Sequence, residues 1–442
     1  MPSVLALDVG SSSVRAQVFD ERGEPADELA QERYGGGDPD EMVALVRKVI
    51  GGRDEGVGAV GASCFGHSLI ALGEDGRPLT PVLGWRDVRS AQAAEWLRRR
   101  TDPAVVHART GAHLHPSYWP AKLVWLAEAE PELFRRAARF VSFCDYLYAQ
   151  LLGADAGTSV SIASGTGLLD LAAMEWDAEL LVLTGVDPAQ LPRLTAEPER
   201  GWYPALLDAA CSNLGAGCVG RTRGALMVGT SGALRLLYET EQPQPQPGLF
   251  LYRVDERRVL DGGALSDGGN LHAWLEATLT AAKGSLLDRT PDEHGLTFLP
   301  FLGGERSTGW DPTKRGTVHG LTFDTTPLDL RQAALEGVAF RFAAIADLLP
   351  SLEEVVATGG ALLKDPEWVQ LMADGLARPV HVSDVAEASL RGAAVATLER
   401  LGCETADAPV GAVFHPREDK ADTYRSARER QQQLYEVLRE ED

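Results

Sequence analysis

The chain has 442 residues, with 42 Lys and Arg against 64 Asp and Glu, a formal charge of −22. That length exceeds one compact domain and fits two or three, each with its own core. So acidic a chain repels phosphate backbones and anionic headgroups, which argues against nucleic acid or a membrane surface as the main partner. An anionic ligand has to be held by local groups acting against the global field. Hydrophobic residues make up 44% and charged residues 24%, the balance of a folded protein. No stretch approaches the ~20 apolar residues of a membrane span. The five cysteines are scattered and form no CxxC pair, as expected of reduced, buried thiols. MPSVLALDVG has too short an apolar run for a signal peptide, so a cytoplasmic location is expected.

The first 30 residues read as a meander: SVLALDV, a Gly10-Ser11-Ser12-Ser13 turn, SVRAQVFD, a second turn and ADELAQERY. Residues 38–52 open on an Asp cap and carry helical apolar spacing. Residues 57–66 read as a buried strand and 68–85 as a hairpin turning at Glu74-Asp75-Gly76. Helical patterning dominates from Ser90 to Gly153, with Arg98-Arg99-Arg100 at one helix end. A Pro-rich turn at 187–204 precedes a short helix at Asp208–Leu214. GALMVGTSGALRLLY (224–238) then repeats the opening pattern of apolar strand, small-residue turn and apolar strand. Two such hairpins half a chain apart predict an internally duplicated architecture. Beyond the 241–248 connector, helices are expected at 271–283 and 327–349, flanking the turn-rich 299–312. A strand, glycine turn and helix follow over 353–376. The last stretch, 417–442, reads as a charged helix forming a solvated lid.

GxxxxGK[ST], HExxH and GxSxG are absent, which removes the P-loop and the commonest zinc-protease and serine-hydrolase signatures. GAGCVG (215–220) matches GxGxxG, but a helix precedes it where a dinucleotide fold needs a strand, so close helix packing explains it better. Three glycine turns remain: Gly10-Ser11-Ser12-Ser13, Gly229-Thr230-Ser231-Gly232 and Gly359-Gly360-Ala361. Successive backbone N–H groups in such turns can cradle phosphate without net positive charge. Asp8, at the end of the first strand, suits Mg²⁺ held through water, or else caps the turn. Asp208 either caps its helix or accepts a hydroxyl proton in phosphoryl transfer.

These blocks resemble the FGGY carbohydrate kinases of the sugar kinase, Hsp70 and actin superfamily. The resemblance is carried by LDVGSSSVR (7–15), GHSLIAL (66–72), WRDVRSAQAAEW (85–96), TGAHLHPSYWPAKLVWL (110–126), SIASGTGLLDL (161–171), DAACSNLGAGCV (208–219), MVGTSGALR (227–235), DGGALSDGGN (261–270), LPFLGGERSTGWDPTKRGTVHGLTF (299–323) and ATGGALLKDPEWVQLMADGLARPV (357–380). It implies an α/β fold of two ribonuclease-H-like domains, 1–222 and 223–442, with mixed sheets flanked by helices and a cleft for Mg-ATP. By the same matching, Asp208 is the catalytic base and Asp8 and Asp208 hold the metal. Gly10, Ser11, Ser12, Ser13, Arg15, Gly229, Thr230 and Ser231 would meet the phosphates, and Gly359, Gly360 and Ala361 the adenosine.

CSNLGAGCV, Leu114-His115-Pro116, SIASGTGL and HSLIAL are most similar to bacterial gluconate kinases. This implies transfer from ATP to a terminal hydroxyl of gluconate, with xylulose or another polyol as the alternative and a non-catalytic sugar- or nucleotide-binding relative as the other. His67, Trp85, Asp87, Arg89, His115 and Tyr118 are the candidate sugar contacts, with Arg89 suited to a carboxylate. Asp87 with Arg89 can equally be a structural ion pair. A homodimer is left open. Three positions depart from the family pattern: Leu207 stands for the usual glycine before the base, Ser159 for an aspartate and Gly66 for a methionine. The segment between Leu191 and Trp202 is also short.

Overall fold

The computed structural model describes residues 2–153, 155–279 and 284–440. The chain divides into two compact units. The first comprises Met1–Gly217, Leu237–Asp261 and Val385–Ala408, and the second Cys218–Leu236, Gly262–Asp384 and Pro409–Asp442.

In the first unit the opening meander forms as expected: β1 (Val4–Val9), β2 (Ser13–Phe19) and β3 (Ala30–Arg33). With β4 (Ala59–Cys64) and β5 (Leu206–Leu207) they make a sheet of order β3-β2-β1-β4-β5. β1 pairs antiparallel with β2 and parallel with β4, which in turn runs parallel to β5. All residues of β1 and β4 are buried, the pattern of strands covered on both faces. Asp38 caps the helix Pro39–Ile50 by accepting from the N–H groups of Asp40 and Glu41.

The helix Ala388–Arg400 packs on β1, β4 and the helix Asp208–Gly215. This last crossing needs glycine on both sides. A Cβ on Gly215 would fall 1.8 Å from the Ala388 carbonyl oxygen, and one on Gly392 1.8 Å from that of Cys211. GAGCVG is therefore a helix end and a crossing point, followed by a strand starting at Gly220.

The hairpin expected over 68–85 closes only through isolated bridges, Leu69 with Leu83 and Leu72 with Pro78. Its strand Ile70–Leu72 pairs instead with Arg139–Val141, inside the stretch read as helical. The surrounding helices, including Ala91–Arg98, Pro103–Thr110, Trp119–Ala129 and Phe143–Leu152, agree with the periodicity.

His107, in the helix Pro103–Thr110, stacks on His113 just beyond it, with ring centroids 4.1 Å apart. Both Nε2 atoms approach the Leu249 carbonyl oxygen, at 2.8 and 2.9 Å, so both rings carry the proton there. Burial pushes both pKa values down, that of His113 to about 3, where His107 adds to the effect. A depressed folded pKa gives stability that is complete above the unfolded value of about 6.5 and is lost as pH falls from there towards 3. Between pH 6 and 4 the chain is expected to lose about 1.4 kcal/mol per pH unit through His113. Thermal midpoints across that range should fall less steeply in His113→Gln, and an unchanged slope would refute the assignment.

In the second unit the strands β6 (Gly220–Val228), β7 (Gly232–Glu239), β8 (Arg258–Leu265), β9 (Glu354–Thr358), β10 (Val380–Ser383) and β11 (Val410–Phe414) follow the order β8-β7-β6-β9-β10-β11. β6 runs parallel to β9, and β9 to β10. The order β8-β7-β6-β9-β10 repeats β3-β2-β1-β4-β5 of the first unit, as the paired hairpins predicted.

The helix expected over 271–283 spans Gly269–Thr278, and residues 280–283 lie outside the described ones. Pro327–Asp347 forms with a Thr326–Asp329 capping box. The helix Ala421–Glu440 is not a solvated lid. Tyr424, Ala427, Gln431 and Tyr435 form a buried stripe at helical spacing, and Gln431 Nε2 donates to the Phe298 and Gly337 carbonyls. The high charge of the segment describes only its outer face. Among the described residues no helix is long and apolar enough to cross a membrane.

Candidate active site

Strand register sets the catalytic groups. Asp8 lies opposite Ser63 on β4 and Arg15 on β2. Its Oδ1 accepts from Ser63 Oγ at 2.8 Å and its Oδ2 from Arg15 Nη1 at 3.1 Å. Arg15 Nε also lies 3.3 Å from Glu387. Burial pushes the Asp8 pKa up, opposed by Ser63 and Arg15. Beyond Asp8 the turn closes through Gly10 N–H donating to the Ser13 carbonyl at 2.9 Å, leaving Ser11 and Ser12 exposed.

On the far side of β4, β5 ends at Leu207 and Asp208 opens the next helix, its Oδ1 accepting from Ala209 N–H at 2.7 Å. Asp8 and Asp208 thus hang from the carboxyl ends of β1 and β5, with β4 between them. Cys211, one turn into the helix, is buried, and both carboxylates help burial raise its thiol pKa.

From the carboxyl end of β4 hangs His67, with a left-handed backbone at φ 64°. Its Nδ1 lies 2.5 Å from the Gly165 carbonyl oxygen, and its own carbonyl accepts from Lys122 Nζ at 2.5 Å. Lys122 is 1% exposed and also donates to Leu83 O at 3.2 Å. The His67 ring meets Tyr118 edge-on at 4.9 Å and Tyr252 at 5.9 Å, and the two tyrosine hydroxyls are 2.5 Å apart.

A second group links His115 Nδ1 to Ser117 Oγ at 3.0 Å, and Ser117 Oγ to the Trp85 carbonyl at 3.1 Å. Asp87 and Arg89 pair with each other. Arg89 Nε donates to both carboxylate oxygens, at 2.9 and 3.1 Å, while its guanidinium lies 4.5 Å over Trp125. The Arg89 hydrogen bond holds the Asp87 pKa down.

In the second unit the turn at Gly229 closes through its N–H donating to the Ser231 carbonyl at 3.0 Å, as in the first hairpin. Against it docks the start of the helix Gly269–Thr278: Gly269 N–H donates to Gly229 O at 2.8 Å and Asn270 N–H to Thr230 O at 3.0 Å. A Cβ on Gly269 would fall 2.6 Å from Ala361 Cβ, and one on Gly359 2.5 Å from Val228 O. Gly360 faces open space and is exposed. Two glycine turns and a helix start therefore meet at one spot, where the Gly229, Gly269 and Asn270 N–H groups are used in joining them and Thr230 and Gly360 stand exposed. Asp267 beside it accepts from Gly303 N–H at 3.1 Å, and burial raises its pKa to about 6.

Sequence reasoning missed Lys122, Ser63 and Tyr252. Ser63 and Lys122 sit within recognisable strand and helix patterns that do not single them out. Tyr252 follows the second hairpin and reaches the His67 group only through tertiary packing.

Asp292, His294 and Glu336 also converge closely, but His294 Nδ1 accepts from Leu296 N–H while Nε2 faces Glu336 at 3.1 Å, and Arg430 holds Asp292. These side chains satisfy one another as a structural network.

Residues 3–200 match the N-terminal domain of the FGGY family of carbohydrate kinases, and residues 224–398 its C-terminal domain. The chain belongs to the FGGY family of carbohydrate kinases. It is 27% identical over 484 aligned residues to a gluconokinase of Bacillus subtilis (strain 168), covering 96% of this chain and 93% of that protein. A gluconate kinase structure from Lactobacillus acidophilus superposes with TM-score 0.89 at 26% identity, covering 99% of this chain and 98% of the other. A ligand-bound xylulose kinase from the same organism gives the same values. The fold of this FGGY kinase is therefore the two-domain α/β sugar-kinase fold.

One departure from the family pattern has a local account. Ser159 Oγ accepts from Ile162 N–H at 3.0 Å, capping the helix Val160–Ser164, and donates to Ala205 O at 2.5 Å. An ionised aspartate could make the first contact but not the second.

Proposed function

We propose that this FGGY kinase transfers the γ-phosphoryl group of ATP to a terminal hydroxyl of a sugar acid, gluconate first, with Asp208 as general base. The observation that supports the reading is the placement of Asp8 and Asp208 on strands either side of β4, with His67 three residues beyond the end of β4. In this reading the sugar lies beside His67 and Trp85, with the buried Tyr118, Tyr252 and His115 behind them, a mix of polar and aromatic groups that suits a polyol. Asp208 takes the hydroxyl proton as the sugar oxygen forms its bond to phosphorus and the bond to the ADP oxygen breaks. In the turns closed by Gly10 and Gly229, the exposed Ser11, Ser12 and Thr230 together with Ser231 offer N–H and hydroxyl groups to the phosphate oxygens, and Gly359, Gly360 and Ala361 adjoin the adenosine. Asp8 and Asp208 are hard oxygen donors and fit Mg²⁺, which when bound offsets phosphate charge. Each Asp8 oxygen keeps a lone pair beyond those taken by Ser63 and Arg15, enough for a water-mediated contact.

The likeness to a gluconokinase and a gluconate kinase supports gluconate. The equal likeness to a xylulose kinase supports xylulose as the second reading. A panel of gluconate, xylulose, glycerol and related polyols, read by coupled ADP release, tests both. Turnover of gluconate is expected, and xylulose turnover without gluconate turnover would reverse the choice. Binding of ATP and sugar with no phosphorylated product from any member would replace the enzyme by a non-catalytic binder.

A further inference from the structure

Leu207, the residue before Asp208, is 2% exposed. Its side chain sits over two glycines. A Cβ on Gly66 would fall 2.9 Å from Leu207 Cδ2, and one on Gly165 would fall 2.8 Å from Cδ2 and 3.1 Å from Cδ1. Those glycines hold the His67 group: Gly66 precedes His67 in the chain, and Gly165 offers its carbonyl oxygen to His67 Nδ1 at 2.5 Å. The Leu207 backbone is fixed as well. It pairs with Cys64 across β4 and β5, and its N–H donates to Ser161 Oγ at 3.1 Å. One isobutyl group therefore touches both segments that carry His67, while its own chain continues directly into Asp208.

We propose that Leu207, seated on Gly66 and Gly165, is a positioning residue that fixes Asp208 relative to the His67 pocket and so decides which acceptor hydroxyl the base reaches. The inference rests on the reading of Asp208 as base and His67 as pocket. Leucine suits the role because close packing leaves it no free volume. Cδ2 is flanked by both glycines and Cδ1 by Gly165, so the side chain cannot turn off one seat without meeting the other. A methyl group on Gly66 must push Leu207, and Leu207 moves Asp208.

A double-mutant cycle tests this with Gly66→Ala, Leu207→Ala and the pair, measuring kcat and KM for the sugar and the thermal midpoint. Gly66→Ala is expected to lower kcat roughly ten- to a hundredfold, because misplacing a reacting group by about 1 Å has effects of that order. On the Leu207→Ala background the same change is expected to cost less than about threefold in kcat. A merely structural role would lower the midpoint and leave kcat of the folded protein unchanged. Equal kcat losses on both backgrounds, or no kcat loss in Gly66→Ala, would overturn the proposal. Should Gly66→Ala fail to fold while the pair folds, the rescue itself supports the seat. If the wild type turns over no sugar, the functional reading fails. The midpoints still decide the seat, since additive shifts would remove it.

Discussion

Asp208→Asn is expected to lower sugar-dependent ADP release by about three orders of magnitude or more, the upper range for loss of a general base. The substitution is gentle on the fold. Asparagine Oδ1 can still accept from Ala209 N–H, now made at 2.7 Å, so the helix Asp208–Gly215 keeps its start. What disappears is the ability to take a proton from the acceptor hydroxyl. Calorimetry should find ATP binding within about threefold of wild type, since the turns assigned to phosphate lie at other residues. Should the Asp208→Asn enzyme keep its kcat, Asp208 loses the base role, whatever sugar the wild type prefers. A variant that loses ATP binding as well would make Asp208 chiefly a metal or folding residue.

How much of this site the sequence disclosed follows from the range of the interactions. The hairpins at Gly10 and Gly229 were legible because alternation and a small-residue turn are local signals, and both turns close through one short backbone hydrogen bond. Asp208 was legible as the first residue of a small-residue helix. The partner of Ile70–Leu72 was not, because Arg139–Val141 lies some seventy residues on, within a helical pattern. Tyr252 was invisible for the same reason, and the Ala421–Glu440 helix misled because its charge hid a narrow buried stripe. The family pattern flagged Leu207 and Gly66 separately; only the packing of one on the other makes them a pair. Charge gave a boundary rather than a site. A chain of −22 has to hold its anions with local groups, and the exposed turn residues Ser11, Ser12, Thr230 and Gly360 are those proposed to do so.

Lys122→Met is expected to raise the sugar KM roughly ten- to a hundredfold while lowering kcat less, because the lysine acts on the pocket rather than on the base. Lys122 Nζ donates to the carbonyls of His67 and Leu83, and the first of these holds a residue in the left-handed region. A thioether fills the same space but offers no donor, so the His67 backbone is free to relax and its ring to leave Tyr118. The stability of the variant identifies the cause. Burial pushes the Lys122 pKa down to about 7, against a weaker opposing pull from Asp87. A depressed lysine pKa means that the unfolded chain binds the extra proton between about pH 7 and 10.4, so wild-type stability falls as pH is lowered through that window. The slope is about 1.4 kcal/mol per pH unit for one proton. Methionine abolishes it. Chemical denaturation at pH 7 and 9 should therefore show a smaller pH effect in Lys122→Met than in wild type, alongside the higher KM. A variant with the wild-type KM would mean that His67 keeps its geometry without the lysine. An unchanged pH slope would mean that the ammonium is paid for inside the fold, by the two carbonyls and Asp87, and is charged throughout.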